Sequence, residues 1–397
     1  MHGFPSGSES QVTLANWRTS PFNRWAFHHV REIVPSADIP NDPAAALEFP
    51  SAPLDSGTLR IDGDAGRTLS FDQFLDETST DGVVVVHRGR VVCERYANAM
   101  AADSPHILMS VSKSLLGLLA GVLVARHDLA PDRLVSDVIP EVAGTAYRGA
   151  TVRHLLDMRA GVAFDEDYLA TSGPMIAYRK AANWSPLEPG DAPGDLRSFY
   201  REMTKSAGPH GGSFNYVSPN TDLLGWVIER ATGVRYADLM SDLLWKPMGA
   251  ARSAYITVDR LGAPRAAGGV CATVRDLARV GQLMVQDGAR GSTQILPASW
   301  ISDITDNGEA GAWAGGNLAG YFPGLAIHYR SKWYALGGPA PLLFGLGIHG
   351  QHLFVDRECQ IVIAKTSSQA LPLDATRIAL TMRGVSQLRH FVRRALG

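Results

Sequence analysis

Strand-forming segments near both ends of the chain, separated by a long middle stretch of helical pattern, predict an α/β (α+β) protein. The sheet is then built from both termini, as residues 1–105 and 251–397, and a mainly helical domain, residues 106–250, is inserted between them. Length agrees: 397 residues suffice for two packed units, or for one large domain with an insertion. Composition agrees too, since 45% hydrophobic and 19% charged residues describe an ordinary soluble globular protein.

Taken in order, residues 1–20 are polar and read as loosely ordered, and residues 37–60, rich in Pro, Ala and Asp, read as extended surface chain. The run Val83-Val84-Val85-Val86-His87-Arg88-Gly89-Arg90-Val91-Val92-Cys93 reads as two strands about a glycine turn. Helical patterns broken by Gly/Pro loops, notably 185–194, fill the middle. Strands return at 253–258, 326–335, 345–355 and 360–366, and an amphipathic helix closes the chain over 375–395. No internal repeat or low-complexity tract interrupts this order.

A net charge of −2 argues against a nucleic-acid or anionic-membrane surface, and the 31 arginines form no dense basic run. Cys93, Cys271 and Cys359 are odd in number, far apart and without Cys-x-x-Cys spacing, which argues against a disulfide framework or a cysteine zinc site. His28-His29 and His349-x-x-His352 lack a carboxylate or cysteine at ligand spacing, so no metal is expected. No phosphate-cradling or dinucleotide-binding glycine motif occurs, so no cofactor is expected either. The first ten residues lack a charged segment followed by an apolar one, and no apolar run reaches a membrane span; a cytoplasmic location is the expectation.

The most informative stretch is Met109-Ser110-Val111-Ser112-Lys113-Ser114, which opens an apolar run from Leu115 to Ala125. Residues three apart share a helix face, so Ser110 Oγ and Lys113 Nζ can meet. A serine hydroxyl needs an adjacent base to become a nucleophile. An amine serves only where burial or a nearby cation lowers its pKa. Lys113 is alone among the six lysines in having a serine three residues before it, and the segment 107–124 holds no other charge. A helix start also favours a developing anion on Ser110. The plainer alternative is a helix cap at Ser110 with Lys113 in water.

Two further segments bear on chemistry. Asn215-Tyr216-Val217-Ser218-Pro219 precedes an apolar helix; Tyr216 can exchange protons beside a lysine, or the segment is a capping turn with an incidental aromatic. Leu346-Gly347-Ile348-His349-Gly350-Gln351 precedes a strand-like run, and its glycines allow close backbone approach to a ligand, or simply mark a strand and bend.

In this order, Ser-x-x-Lys, Tyr-x-Ser and Gly-x-His-Gly, the chain resembles the serine β-lactamase and penicillin-binding-protein superfamily. Tyr216 makes it similar to the class C and carboxylesterase branch. No Glu-x-x-x-Asn element is present, since Glu166 is followed four residues later by Ala170. Thr151 to Gly161 and Thr273 to Gly281 also match segments of the superfamily. Asn23 to Phe27, Leu108 to Leu115, Glu166-Asp167-Tyr168 and Gly347 to Gln351 resemble the 6-aminohexanoate-dimer (nylon-oligomer) hydrolases.

The resemblance implies the β-lactamase/D,D-peptidase fold, an antiparallel sheet flanked by helices with the site in the cleft beside the inserted helical domain. It implies an acyl-enzyme on Ser110, with Lys113 as base and Tyr216 as acid and activator of the deacylating water. The oxyanion hole would be the N–H groups of Ser110 and Ile348. Tyr168, Trp184, Arg179, Ser218 and, in support, His349 would contact substrate, while Ser112 is structural. One departure bears on the substrate. The loop from Tyr168 to Trp184 holds Arg179 and Lys180 and no acid between them, where nylon-oligomer hydrolysis is helped by an acid facing a substrate ammonium. The expected partner is a small amide or ester, with a homodimer left open. Two alternatives stand beside this: a carboxylesterase, β-lactamase or D,D-peptidase without nylon-oligomer activity, or a non-catalytic relative acting as a stably acylated sensor or scaffold.

Overall fold

The computed structural model describes residues 7–396. Its main sheet has seven antiparallel strands in the spatial order Ile327–Arg330, Trp333–Leu336, Leu342–Gly347, Gln351–Asp356, Ile361–Ser367, Thr80–His87 and Arg90–Tyr96. The strand Thr80–His87 thus comes from the beginning of the chain yet pairs with Ile361–Ser367 near its end, Val84 opposite Ala364 and Val85 opposite Ile363. Both strands are buried along their whole length. Period-2 alternation sorts their side chains. Val84, Val86, Val362 and Ala364 join one apolar cluster with Val274 and Leu277. Val83, Val85, Ile361 and Ile363 join another with Ile378, Val385 and Val392. Each buried valine contributes roughly 1.5–3 kcal/mol.

Helices cover both faces at close range. On the first face lies Val274–Val285, capped by Thr273, whose Oγ1 accepts from Asp276 N. Gly281 lets it sit down on the sheet, because a Cβ there would come within 2.3 Å of Val362. On the other face lies the closing helix Ala375–Leu396, where Gly384 plays the same part against Phe74 at 2.4 Å. Between Val111 and Trp245 regular structure is almost wholly helical. The helix Val111–Ala125 is buried from Val111 to Leu123. Gly117 and Gly121 on it admit the Ser331 carbonyl and the Trp300 ring, both closer than any Cβ would permit.

Several expectations are corrected. The first twenty residues are not loose throughout: Met1 to Ser6 lie outside the described residues, but Trp17 is fully buried and donates from Nε1 to the Trp184 carbonyl. The segment 37–60 is not all surface chain, since Ser36–Ile39 pairs with Ala254–Thr257 in a second, four-stranded sheet. That sheet also contains Val270–Ala272 and His106–Ile107, too short to read from pattern. The run 326–335 is a hairpin, turned by Ser331 and Lys332 at φ 48° and 70°. The run 345–355 is also two strands, broken at Ile348–Gly350 where His349 and Gly350 take φ 61° and 90°. Alternating hydrophobicity passes unchanged through so tight a turn, which is why pattern alone fused them. Among the described residues no helix is long and apolar enough to cross a membrane, and no group of three or more His, Cys, Asp or Glu could hold a metal ion.

Candidate active site

Met109 turns the chain from the strand His106–Ile107 into the helix Val111–Ala125 and adopts φ 44°, a left-handed conformation that side chains rarely take. Such strain survives only where its surroundings enforce it. The result sets Ser110 at the N-cap with its hydroxyl free of any capping bond. One turn on, Lys113 Nζ lies 2.8 Å from Ser110 Oγ and 2.7 Å from the Ala267 carbonyl. Lys113 is 1% exposed. Burial draws its amine down to about 7, against the pull of Glu166. The solvated-lysine alternative is therefore excluded.

The Ala267 carbonyl is itself held. Ala267 N donates to Asp222 Oδ1 at 2.7 Å, and the other carboxylate oxygen of Asp222 takes a bond from Tyr178 OH at 2.5 Å and an ion pair with Arg265. Asp222 sits in the first turn of the helix Pro219–Thr232, which begins with proline at its first position and ends on Gly233 at φ 71°, an arrangement proline and glycine favour. Just before it, Tyr216 is buried, with Lys113 Nζ 4.9 Å from its ring centroid. Burial raises its phenol well above the ordinary value, and the Ser110 hydroxyl is the largest opposing influence. Tyr216 is accordingly a neutral donor near neutral pH. Asn317 brackets its backbone, accepting from Tyr216 N at 2.8 Å and donating to Tyr216 O at 3.3 Å.

Across the cleft, the Leu342–Gly347 strand runs against Ser110. A Cβ on Gly347 would lie 2.7 Å from the Leu108 carbonyl and 3.0 Å from Ser110 N, so glycine alone permits this approach. It brings Ile348 to the cavity that Ser110 lines. Among the described residues neither the N–H of Ser110 nor that of Ile348 donates to a loop or turn carbonyl. Gln351 secures the turn, donating from Nε2 to the carbonyls of Ile348, His349 and Ser367.

Tyr168, Trp184, Arg179 and Ser218 line the same narrow cavity. Glu166 accepts from Tyr168 OH at 2.9 Å, from Ser218 N at 2.7 Å and from the Ser218 hydroxyl, and so holds both residues in place. Trp184 donates to Thr257 Oγ1 and packs edge-on against Trp17. Two expectations fail. His349 does not line the cavity: its imidazole bonds the Gln369 carbonyl at 2.7 Å and packs on Phe27, so it braces the turn from behind. Lys180 turns away to Asp191, one residue along the helix from Arg179 but on another face. Sequence reasoning missed Arg18, Met175, Arg265, Ala267 and Gly268 in the lining. The one sequence signal, for Arg265, Ala267 and Gly268 alone, is the small-residue run Ala266-Ala267-Gly268-Gly269, which carries no chemistry of its own; Arg18 and Met175 have none.

This fold and this serine–lysine site define a class, the serine hydrolases of the β-lactamase type. The beta-lactamase family model matches residues 70–384, and the chain belongs to that family. It is 36% identical over 366 residues to the 6-aminohexanoate-dimer hydrolase of Paenarthrobacter ureafaciens, covering 92% of this chain and 90% of the relative. Esterase EstB of Burkholderia gladioli is 27% identical over 230 residues, covering 54% and 56%. A solved Bacillus anthracis structure assigned by name to the 6-aminohexanoate-dimer hydrolases superimposes with TM-score 0.89 at 28% identity, covering 98% of this chain and 99% of its own. A class C β-lactamase of Rhodobacter sphaeroides shares the fold at TM-score 0.58 and 15% identity, covering 80% and 95%. The protein is a β-lactamase-family serine hydrolase of amides or esters.

Proposed function

We propose that Ser110 hydrolyses small carboxylic esters and linear amides through an acyl-enzyme. The observation that carries this is the 2.8 Å contact between Ser110 Oγ and a buried Lys113 amine lowered to about 7. In its neutral form Lys113 keeps one N–H on the Ala267 carbonyl and turns its lone pair to the serine proton. Oγ bonds to the substrate carbonyl carbon as that proton passes to Nζ. The carbonyl oxygen becomes an oxyanion, received by the N–H groups of Ser110 and Ile348; such donors typically contribute about 3 kcal/mol each. The C–N or C–O bond then breaks. Tyr216 gives its phenolic proton to the leaving atom and recovers one from the Lys113 ammonium, so the dyad ends neutral. Water attacks the ester on Ser110 by the same route in reverse, releasing acid and free enzyme.

The same reading places the cleft between an α/β part, residues 1–105 with 251–397, and a mainly helical part, 106–250. Ser110, Lys113, Tyr168, Arg179, Trp184, Tyr216 and Ser218 come from the second, Ile348 from the first. Hydrolysis of 6-aminohexanoate dimer, the activity in the name of the Paenarthrobacter relative, is expected to be weak because Arg179 lines the cavity and would meet the substrate ammonium. The test uses p-nitrophenyl butyrate, 6-aminohexanoate dimer and nitrocefin with wild type and Ser110→Ala. Turnover of the ester that vanishes in Ser110→Ala, with an acyl adduct on the Ser110 peptide by mass spectrometry, is the expected result. An adduct on Ser112, or activity surviving in Ser110→Ala, rejects the assignment.

A further inference from the structure

The cavity beside Ser110 carries more positive charge than its own carboxylates meet. Three guanidinium groups line it, those of Arg18, Arg179 and Arg265. Arg265 is paired with Asp222. Arg179 donates only to neutral oxygens, the carbonyls of Tyr168 at 2.6 Å and Ala170 at 3.3 Å. Arg18 lies 5.8 Å from the Trp17 ring, and its Nε is buried without a hydrogen-bond partner. Among the described residues no carboxylate stands within ion-pair distance of Arg18 or Arg179. Glu166 is the one carboxylate in the lining, and its oxygens already accept from Ser218 and Tyr168. Two arginines of the lining therefore have no ion-paired counter-charge, and their mutual repulsion, after burial itself, draws Arg18 down to about 9. Arg18 is only partly buried, but an enclosed guanidinium nitrogen without a hydrogen-bond partner is costly and calls for a ligand or other acceptor to complete it.

We infer that this cavity holds a carboxylate carried on the acyl part of the substrate, bound by Arg18 and Arg179. This deepens the acyl-enzyme reading above and rests on it. The acyl side is indicated because Ser110 and Ile348 line this cavity whereas Tyr216, the proposed proton donor to the leaving group, does not. The substrate class is then a half-ester or half-amide of a dicarboxylic acid. It presents a flat anion to two planar, multi-donor guanidiniums, a match that a neutral or ammonium-bearing acyl chain cannot make.

Three esters of equal chain length test this: mono-p-nitrophenyl adipate, p-nitrophenyl hexanoate and p-nitrophenyl 6-aminohexanoate. In wild type, kcat/KM should favour the adipate ester over the hexanoate ester by about tenfold or more, with the amino ester slowest. That ratio should collapse toward unity in Arg18→Gln and Arg179→Gln and be only partly kept in Arg18→Lys, which retains the charge but loses the planar donor fork. A role confined to bracing the Tyr168 loop would lower all three substrates together and leave the ratio unmoved, which overturns the proposal. So does a wild type that prefers the hexanoate or amino ester. Titration calorimetry with adipate itself makes the result independent of turnover. Binding to wild type that weakens about tenfold in Arg18→Gln supports the carboxylate site even if no ester is cleaved, whereas absence of adipate binding rejects it even if Ser110 hydrolyses every ester.

Discussion

At the scale of single residues, burial acts on the two titratable groups beside Ser110 in opposite directions. It lowers the Lys113 amine to about 7 and raises the Tyr216 phenol, so the neutral states of the proposed base and acid coexist near neutral pH. The sign for Lys113 is plain: the charged form is penalised, so the active neutral amine accumulates as pH rises through about 7. The kcat/KM for a p-nitrophenyl ester should therefore fall about tenfold per pH unit on the acid side. A profile flat from pH 5 to 8 would remove Lys113 as the base. Tyr216→Phe should separate substrates by leaving group. A departing amine needs a proton and p-nitrophenolate does not, so amide cleavage should drop by ~10²–10⁴-fold and ester cleavage far less. Equal losses, measured side by side as kcat, would reduce Tyr216 to a packing role.

At the scale of elements, the site depends on how closely a strand and a helix start can approach. Gly347 lies at the end of its strand, where a methyl group would strike the Leu108 carbonyl and crowd Ser110 N. Gly347→Ala should therefore push Ile348 away from Ser110 and spoil the paired N–H donors. The expected cost in kcat is ~10²-fold, the usual consequence of losing one such donor, with KM changed much less. Circular dichroism and thermal melting should show the fold retained. An unaltered kcat would mean that the Ile348 N–H is not an oxyanion donor. The turn behind it is braced by Gln351 and His349, which accounts for a histidine in the motif that never reaches the cavity.

Across the whole molecule, the chain's beginning closes the site made by its middle and end. Trp17 is fully buried, meets the Trp184 ring edge-on at 5.2 Å and Phe27 at 6.2 Å, and hydrogen-bonds the Trp184 backbone. It thereby fixes both Trp184 and its neighbour Arg18 at the cavity. Trp17→Ala should cost about 3–5 kcal/mol of stability, the range for emptying a large aromatic site. Urea unfolding measures this directly, and a loss under about 1 kcal/mol would show the segment to be an appendage after all.

Groupings that lie within a few residues were readable from the sequence. Ser110 and Lys113 share one helical turn, Tyr216 and Ser218 lie two residues apart just before the helix Pro219–Thr232, and Gly347 to Gly350 share a single turn of chain, so local periodicity and the resemblance to known hydrolases were enough to single them out as candidates. The paired strands about Gly89 and the closing helix were legible for the same reason, since their patterns are local. What pattern cannot carry is distance across the fold. Arg18, Arg179 and Arg265 are separated by 161 and 86 positions in sequence, each ordinary in its own neighbourhood, and only folding places them around one cavity. Burial is likewise a property of the packed whole. It took the imidazole of His349 out of the cavity lining and Trp17 into the core, and it lowered the amine of Lys113, a charge that in the extended chain would be fully solvated.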